Sequence, residues 1–197
     1  HKPAVTAAVK ALLKALADQN YAAEDAEFVV RIVTFNNSVH LINDTFLPPD
    51  QLMELVDDST FDCRGGTNLT AIVQEIDQDC SRSGISFAGK HTSDFQPMSL
   101  LITDFMGTDD ASSRQAAVDR LLDNRLYTEK TQSLCVFVGP EHLRDKVAAL
   151  AGGADRVIAL SDDLDKYLTP VVMGSTINMA MQTHINAPSS GDIGRNV

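Results

Sequence analysis

Apolar side chains at Val5, Val9, Leu12, Leu13 and Leu16 recur at helical spacing, with Lys10 and Lys14 on another face. They predict a helix from about Pro3 to Asp18, and Pro3 suits its first turn, where a missing N–H costs little. The period then changes. Glu27 to Phe35, in which the run from Phe28 through Val30, Ile32 and Val33 to Phe35 is apolar and β-branched almost without a break, predicts a strand buried on both faces. The turn Asn36-Asn37-Ser38 and the apolar positions Val39 and Leu41 predict a second strand from Val39 to Phe46. So short a turn makes the two antiparallel neighbours, and Asn43 and Asp44 break the second like an edge strand.

Further along, Leu47-Pro48-Pro49-Asp50 ends the hairpin and Asp50 to Val56 is read as a short helix. The glycine-rich loop Arg64-Gly65-Gly66-Thr67-Asn68 opens a helix to about Ser81, with Leu69, Ile72, Val73 and Ile76 on one face. Ser83 to Gln96 is polar and reads as a long surface loop. Met98 to Thr103 is a buried strand ending on Asp104, and Ala111 to Asp123 is a helix. Ser133 to Val138 is a strand, and His142 to Ala151 a helix stopped by Gly152-Gly153. Arg156 to Leu160 is a short strand, and Ser161 caps a last helix to about Met181. This alternation predicts a Rossmann-like open, mostly parallel sheet with one antiparallel edge strand and helices on both faces. One domain is expected over residues 1–181, with a mobile tail over 182–197 rich in Ser, Gly, Asn and Pro.

Composition narrows the classes. The chain has 197 residues, enough for one α/β core. Its net charge of −11 argues against binding nucleic acid or anionic membranes. No run reaches the roughly 20 apolar residues of a membrane span, and no signal peptide is expected. Cys63, Cys80 and Cys135 are far apart, with no zinc or redox spacing. A reducing cytoplasm suits them, and a Cys63–Cys80 bridge is the alternative.

Two loops carry candidate chemistry. Gly65-Gly66-Thr67-Asn68 stands at a helix start, and Thr103-Asp104 at the end of a buried strand, where parallel sheets place their ligand sites. Thr67 and Asp104 offer a hydroxyl and a carboxylate, hard oxygen donors that suit Mg²⁺, Mn²⁺ or Ca²⁺ rather than zinc.

Leu101-Ile102-Thr103-Asp104 followed by Gly107-Thr108-Asp109-Asp110 resembles the Leu-Ile-Thr-Asp-Gly…Thr-Asp segment of von Willebrand factor type A (VWA) domains. Gly65-Gly66-Thr67-Asn68-Leu69 resembles their Gly-Gly-Thr-x-Leu loop, and Ile32-Val33-Thr34-Phe35 their second strand. Lys2 to Leu16 is similar to their first helix. The resemblance extends to about Met181 and leans towards bacterial cytoplasmic VWA proteins of tellurite-resistance and stress-response systems. It implies a metal ion-dependent adhesion site. Thr67 and Asp104 would be its second and third parts, and an Asp-x-Ser-x-Ser loop, absent from these residues, its first. That loop and the strand carrying it would directly precede the first helix, so we expect a truncated or processed start. Without the loop a cation would be mostly water-bound and weakly held. Without the strand, its sheet neighbours would expose unpaired N–H and C=O groups.

The resemblance further implies binding rather than catalysis: a partner protein's acidic side chain fills the cation's open position. Phe105 stands where the family has Gly. With Met106 it would offer apolar surface to a partner beside Gly66, or simply pack under the loop. The alternatives are a metal-independent VWA scaffold, using Phe105, Met106 and the loop near His91, and a Rossmann-like hydrolase or nucleotide enzyme. No paired histidines, nucleophile elbow or phosphate-binding loop supports an enzyme. The plainer roles are a helix cap for Thr67, a turn residue for Asp104, and helix-start charges for Asp109 and Asp110. Oligomeric state is left open.

Overall fold

The computed structural model describes residues 2–22, 27–61, 65–81, 97–159, 164, 166 and 168–174. The expected loop over 83–96, with His91, lies outside them, as do Cys63, Ser161 and the 182–197 tail.

Helix α1 spans Lys2–Ala22. Its last turns are fixed to the chain that follows: Asn20 Oδ1 accepts from Phe28 N at 2.7 Å, and Asn20 Nδ2 donates to the Phe28 carbonyl at 2.9 Å. Strands β1 (Val33–Phe35) and β2 (Val39–Leu41) form the expected antiparallel hairpin. Both are shorter than expected, and Asn43 is the reason. Its buried amide accepts from Ile32 N and donates to the Val30 carbonyl, replacing the rungs a regular ladder would place there. Pairing resumes only as a single bridge from Val30 to Leu47.

Helices α2 (Pro49–Leu52) and α3 (Leu69–Asp79) come next. Strand β3 (Met98–Thr103), helix α4 (Ala111–Asp123) and strand β4 (Gln132–Phe137) follow. One turn of π-helix, Leu126–Lys130, separates the last two. Helix α5 (Arg144–Ala151) begins after a short 3₁₀ turn, and Gly152 at φ 84° closes it. Strand β5 (Val157–Ala159) completes a parallel sheet in the order β3-β4-β5. Residues 168–174 are helical.

Alternation along the strands sorts side chains into two apolar layers. Leu101, Cys135, Phe137 and Val157 face a cluster built with Leu69, Ile72 and Val73 of α3, Ala117 and Leu121 of α4, and Val147 and Leu150 of α5. Leu100, Ile102, Leu134, Val136 and Ile158 face the opposite cluster, with Ala8, Leu12 and Leu16 of α1 and Leu164, Leu168 and Val172. Helices therefore cover both faces, as the alternation of elements predicts.

The hairpin and the parallel sheet share these layers without sharing a ladder. Val33 and Phe35 pack on the first cluster, and Phe28 and Val30 on the second. Yet among the described residues β1 pairs only with β2, and β3 only with β4. Among the described residues β1 and β3 therefore each have a backbone ladder on one side alone.

Candidate functional site

Three loops meet where β1 and β3 end, joined by hydrogen bonds rather than by a ladder. From the hairpin turn, Asn37 Oδ1 accepts from Gly66 N at 2.8 Å, and the Asn36 carbonyl accepts from Asn68 N at 2.6 Å. From the loop after β3, Thr108 Oγ1 accepts from Thr67 N at 3.0 Å, and Thr108 N donates to the Thr67 carbonyl at 2.9 Å. Gly66 must be glycine here. A Cβ would come within 2.4 Å of Thr108 Oγ1 and 2.6 Å of Asn37 Oδ1. Its role is thus to let the loops close, and the structure gives it no side chain to offer a partner.

Asp109 adds a second tie. Its Oδ2 accepts from Thr70 N at 2.8 Å and from the Thr70 hydroxyl, while Oδ1 accepts from Arg114 at 2.9 Å. Burial opposes ionisation, but the bonds from Thr70 and Arg114 outweigh it and hold the carboxyl below the usual carboxylate range. Asp110 caps α4, accepting from the Ser112 hydroxyl at 2.5 Å and Ser113 N at 2.8 Å. Those bonds lower its carboxyl to about 2. Both aspartates therefore work as structural acceptors at the start of α4.

The cap of α3 is Asn68, whose side chain accepts from Ala71 N at 3.0 Å. The Thr67 hydroxyl accordingly does not cap the helix. Among the described residues no group bonds Thr67 Oγ1, and the only partner of the Asp104 carboxylate is Met106 N, on Oδ1 at 2.9 Å. Asp104 itself is held close to β4, since a Cβ on Gly139 would fall 1.9 Å from its carbonyl oxygen.

Phe105 has φ 55°, the one non-glycine residue with positive φ among the described residues. Its N–H bonds Thr103 Oγ1 at 3.0 Å, and its side chain is 8% exposed in the cluster beneath α3 and α4. Phe105 therefore packs under the loop and presents no side-chain surface to a partner, whereas Met106 beside it is 55% exposed. Val138, 45% exposed, is a second apolar side chain at this edge. It follows β4 directly, so the apolar run 134–138 could have suggested it.

The donor set can be tested against a divalent cation. Thr67 and Asp104 supply one hydroxyl and one carboxylate oxygen, the right chemistry for Mg²⁺ or Mn²⁺ but too few of the six positions for a tight site. Among the described residues no three His, Cys, Asp or Glu side chains come together as a metal-holding group. The thiols are unsuited to nucleophilic work. Burial pushes Cys80 up to about 11 and Cys135 up to about 12, so both stay protonated at neutral pH. Both are free, so Cys80 makes no bridge to Cys63.

Layers, strand order and converging loops define an open α/β domain with the von Willebrand factor type A fold. The sequence matches no family model and no curated protein. Solved structures do match. A von Willebrand factor type A structure from Catenulispora acidiphila superposes with a TM-score of 0.59 at 16% identity, covering 86% of this chain and 37% of that one. Proximal thread matrix protein 1 from the mussel byssus gives 0.56 at 15% identity, covering 83% and 41%. A structure of that protein described as having a zinc-occupied MIDAS motif gives 0.56 at 14% identity, covering 84% and 42%. This chain thus spans well under half the length of these neighbours. No described helix is long and apolar enough to cross a membrane.

Proposed function

We propose that this domain is a protein-interaction module whose binding face is the edge where β1, β3 and β4 end. At that edge Thr67 and Asp104 help to hold a divalent cation, and an acidic side chain of the partner protein completes the coordination. One observation carries this reading. In a loop cluster where Asn37, Asn68, Thr108, Asp109 and Asp110 spend their side-chain oxygens on protein hydrogen bonds, Thr67 Oγ1 and Asp104 Oδ2 spend none. The mussel protein with an occupied metal motif supports it at the level of the fold.

When bound, the cation supplies a positive point that draws a carboxylate to a domain of net charge −11. The remaining coordination positions go to water or to donors outside the described residues. Met106 and Val138 give the face an apolar rim. The module binds and does not turn over substrate, and a cytoplasmic location fits the free thiols of Cys80 and Cys135.

Titration of the chain with Mn²⁺, followed by amide NMR, tests the site. Broadening is expected first at Thr67, Asp104 and Met106, and Asp104→Ala abolishes it. Broadening centred elsewhere, or unchanged in Asp104→Ala, overturns the metal reading. Partner binding that persists in EDTA then favours the same face used without metal.

A further inference from the structure

Ser99 and Ser133 face each other in register across β3 and β4, on the side of the sheet that carries Leu101 and Cys135. Ser133 is 5% exposed, and its Oγ bonds no described group. A buried hydroxyl left in that state has given up its bonds to solvent and regained none, which is costly enough to be rare in folded chains. Ser99 Oγ likewise makes no hydrogen bond among the described residues.

A third polar group comes from the π-helical turn. Tyr127 lies in that turn and is 5% exposed. Its hydroxyl donates to the Leu150 carbonyl at 2.7 Å, which uses its one proton and leaves the oxygen lone pairs to accept. Burial pushes the phenol up to about 12, so the proton stays in place at neutral pH. Ser133 stands beside the phenol and opposes that rise, yet the two make no direct hydrogen bond.

Ser99, Ser133 and Tyr127 line a common cavity, together with Ile76, Leu101 and Leu150. About 10 Å³ of it is open to the centre of a water molecule. That is room for one water and for nothing larger. No charged side chain lines it among the described residues, so the lining offers an ion no counter-charge.

We propose that this cavity is a binding site for a single long-lived water molecule, held by Ser99, Ser133 and Tyr127. Ser133 Oγ donates to the water oxygen. The two water hydrogens go to Tyr127 Oη and Ser99 Oγ, so each hydroxyl gains a partner. Neighbouring strands lie about 4.8 Å apart, a span that one bridging water closes. The water thereby joins β3, β4 and the π-helical turn at a point the backbone ladder does not reach. Ser99 and Ser133 are the second residues of their strands, so the site lies at the opposite end of the sheet from Thr67 and Asp104. It rests on neither the cation nor a partner protein.

A high-resolution crystal structure of the chain tests the site directly. A water oxygen is expected at about 2.8 Å from Ser133 Oγ, Tyr127 Oη and Ser99 Oγ. A direct Ser133–Tyr127 hydrogen bond with no water between them overturns the proposal. So does xenon taken up in the cavity under pressure, which would mark it as dry and apolar. In solution, magnetic relaxation dispersion of the water oxygen counts long-lived waters without interference from exchanging hydroxyl protons. Ser133→Val replaces the hydroxyl with methyl groups that fill the cavity, and it is expected to lower that count by one. Ser99→Val, at a half-buried position, gives the same reading should Ser133→Val fail to fold. A folded variant of either kind whose count equals that of the parent overturns the site.

Discussion

β3 and β4 are adjacent six-residue strands of one sheet, and Leu100 and Leu134 face each other across their ladder. Both leucines point into the apolar layer beneath α1. Their burial differs all the same. Leu134 is 4% exposed and every residue of β4 from Ser133 to Phe137 is buried, whereas on β3 only Leu101 and Thr103 are. The helices overhead are shared, and what differs is the sides: among the described residues β4 has a strand on each, and β3 on one. An apolar run states how much burial a strand needs, and its lateral neighbours decide whether it receives it.

That contrast can be probed from its firmest end. Phe105 closes β3 by burying its ring while its backbone takes a left-handed conformation. Phe105→Ala is expected to cost about 3–5 kcal/mol in urea unfolding, the usual loss for a buried ring. Phe105→Gly should cost about 1 kcal/mol less than the alanine variant, because glycine adopts positive φ freely. That order reverses the usual one, and alanine proving the milder change would mean that the backbone relaxes once the ring is gone.

The leucine pair measures the contrast directly. Leu134→Ala is expected to cost about 2–5 kcal/mol, and Leu100→Ala at least about 1 kcal/mol less, since part of its surface is already wet. Equal losses would mean that the β3 edge is buried after all.

At the loop cluster the expected effects are smaller and separate structural from ligand oxygens. Asn68→Ala removes the cap of α3 and should cost about 1 kcal/mol. Thr67→Val, whose hydroxyl bonds no described group, should stay within about 0.5 kcal/mol of the parent while weakening Mn²⁺ uptake. A larger loss of stability at Thr67 would give its hydroxyl a structural role.

Periodicity made much of the fold legible. Met98–Thr103 and Ala111–Asp123 stand where alternation and helical spacing place them. What periodicity missed depends on single side chains acting at a distance in sequence. Asn43 shortens the hairpin by taking over backbone bonds, and Asn68 rather than Thr67 caps α3 because its side chain is the one that reaches Ala71 N. The site was legible as residue types, Thr67 and Asp104. The inward turn of Phe105 was not, because it depends on a backbone conformation that an apolar residue type does not announce.

Acid sharpens the division between working and spare carboxylates. Asp109 and Asp110 both titrate below their ordinary value of 3.8, Asp110 at about 2. A carboxyl whose folded pKa is depressed contributes stability above its unfolded pKa and loses it as pH falls through the folded one. Their contribution is therefore intact above about pH 4 and declines towards pH 2. Urea midpoints measured from pH 5 to pH 2 should fall less steeply in Asp109→Asn and Asp110→Asn than in the parent chain. Asp109, 11% exposed and bonded across to α3, should show the larger change, while Asp110 on the open surface is screened by solvent. A parent-like slope in Asp109→Asn would place the tie between the β3 loop and α3 on the Thr108 bonds alone.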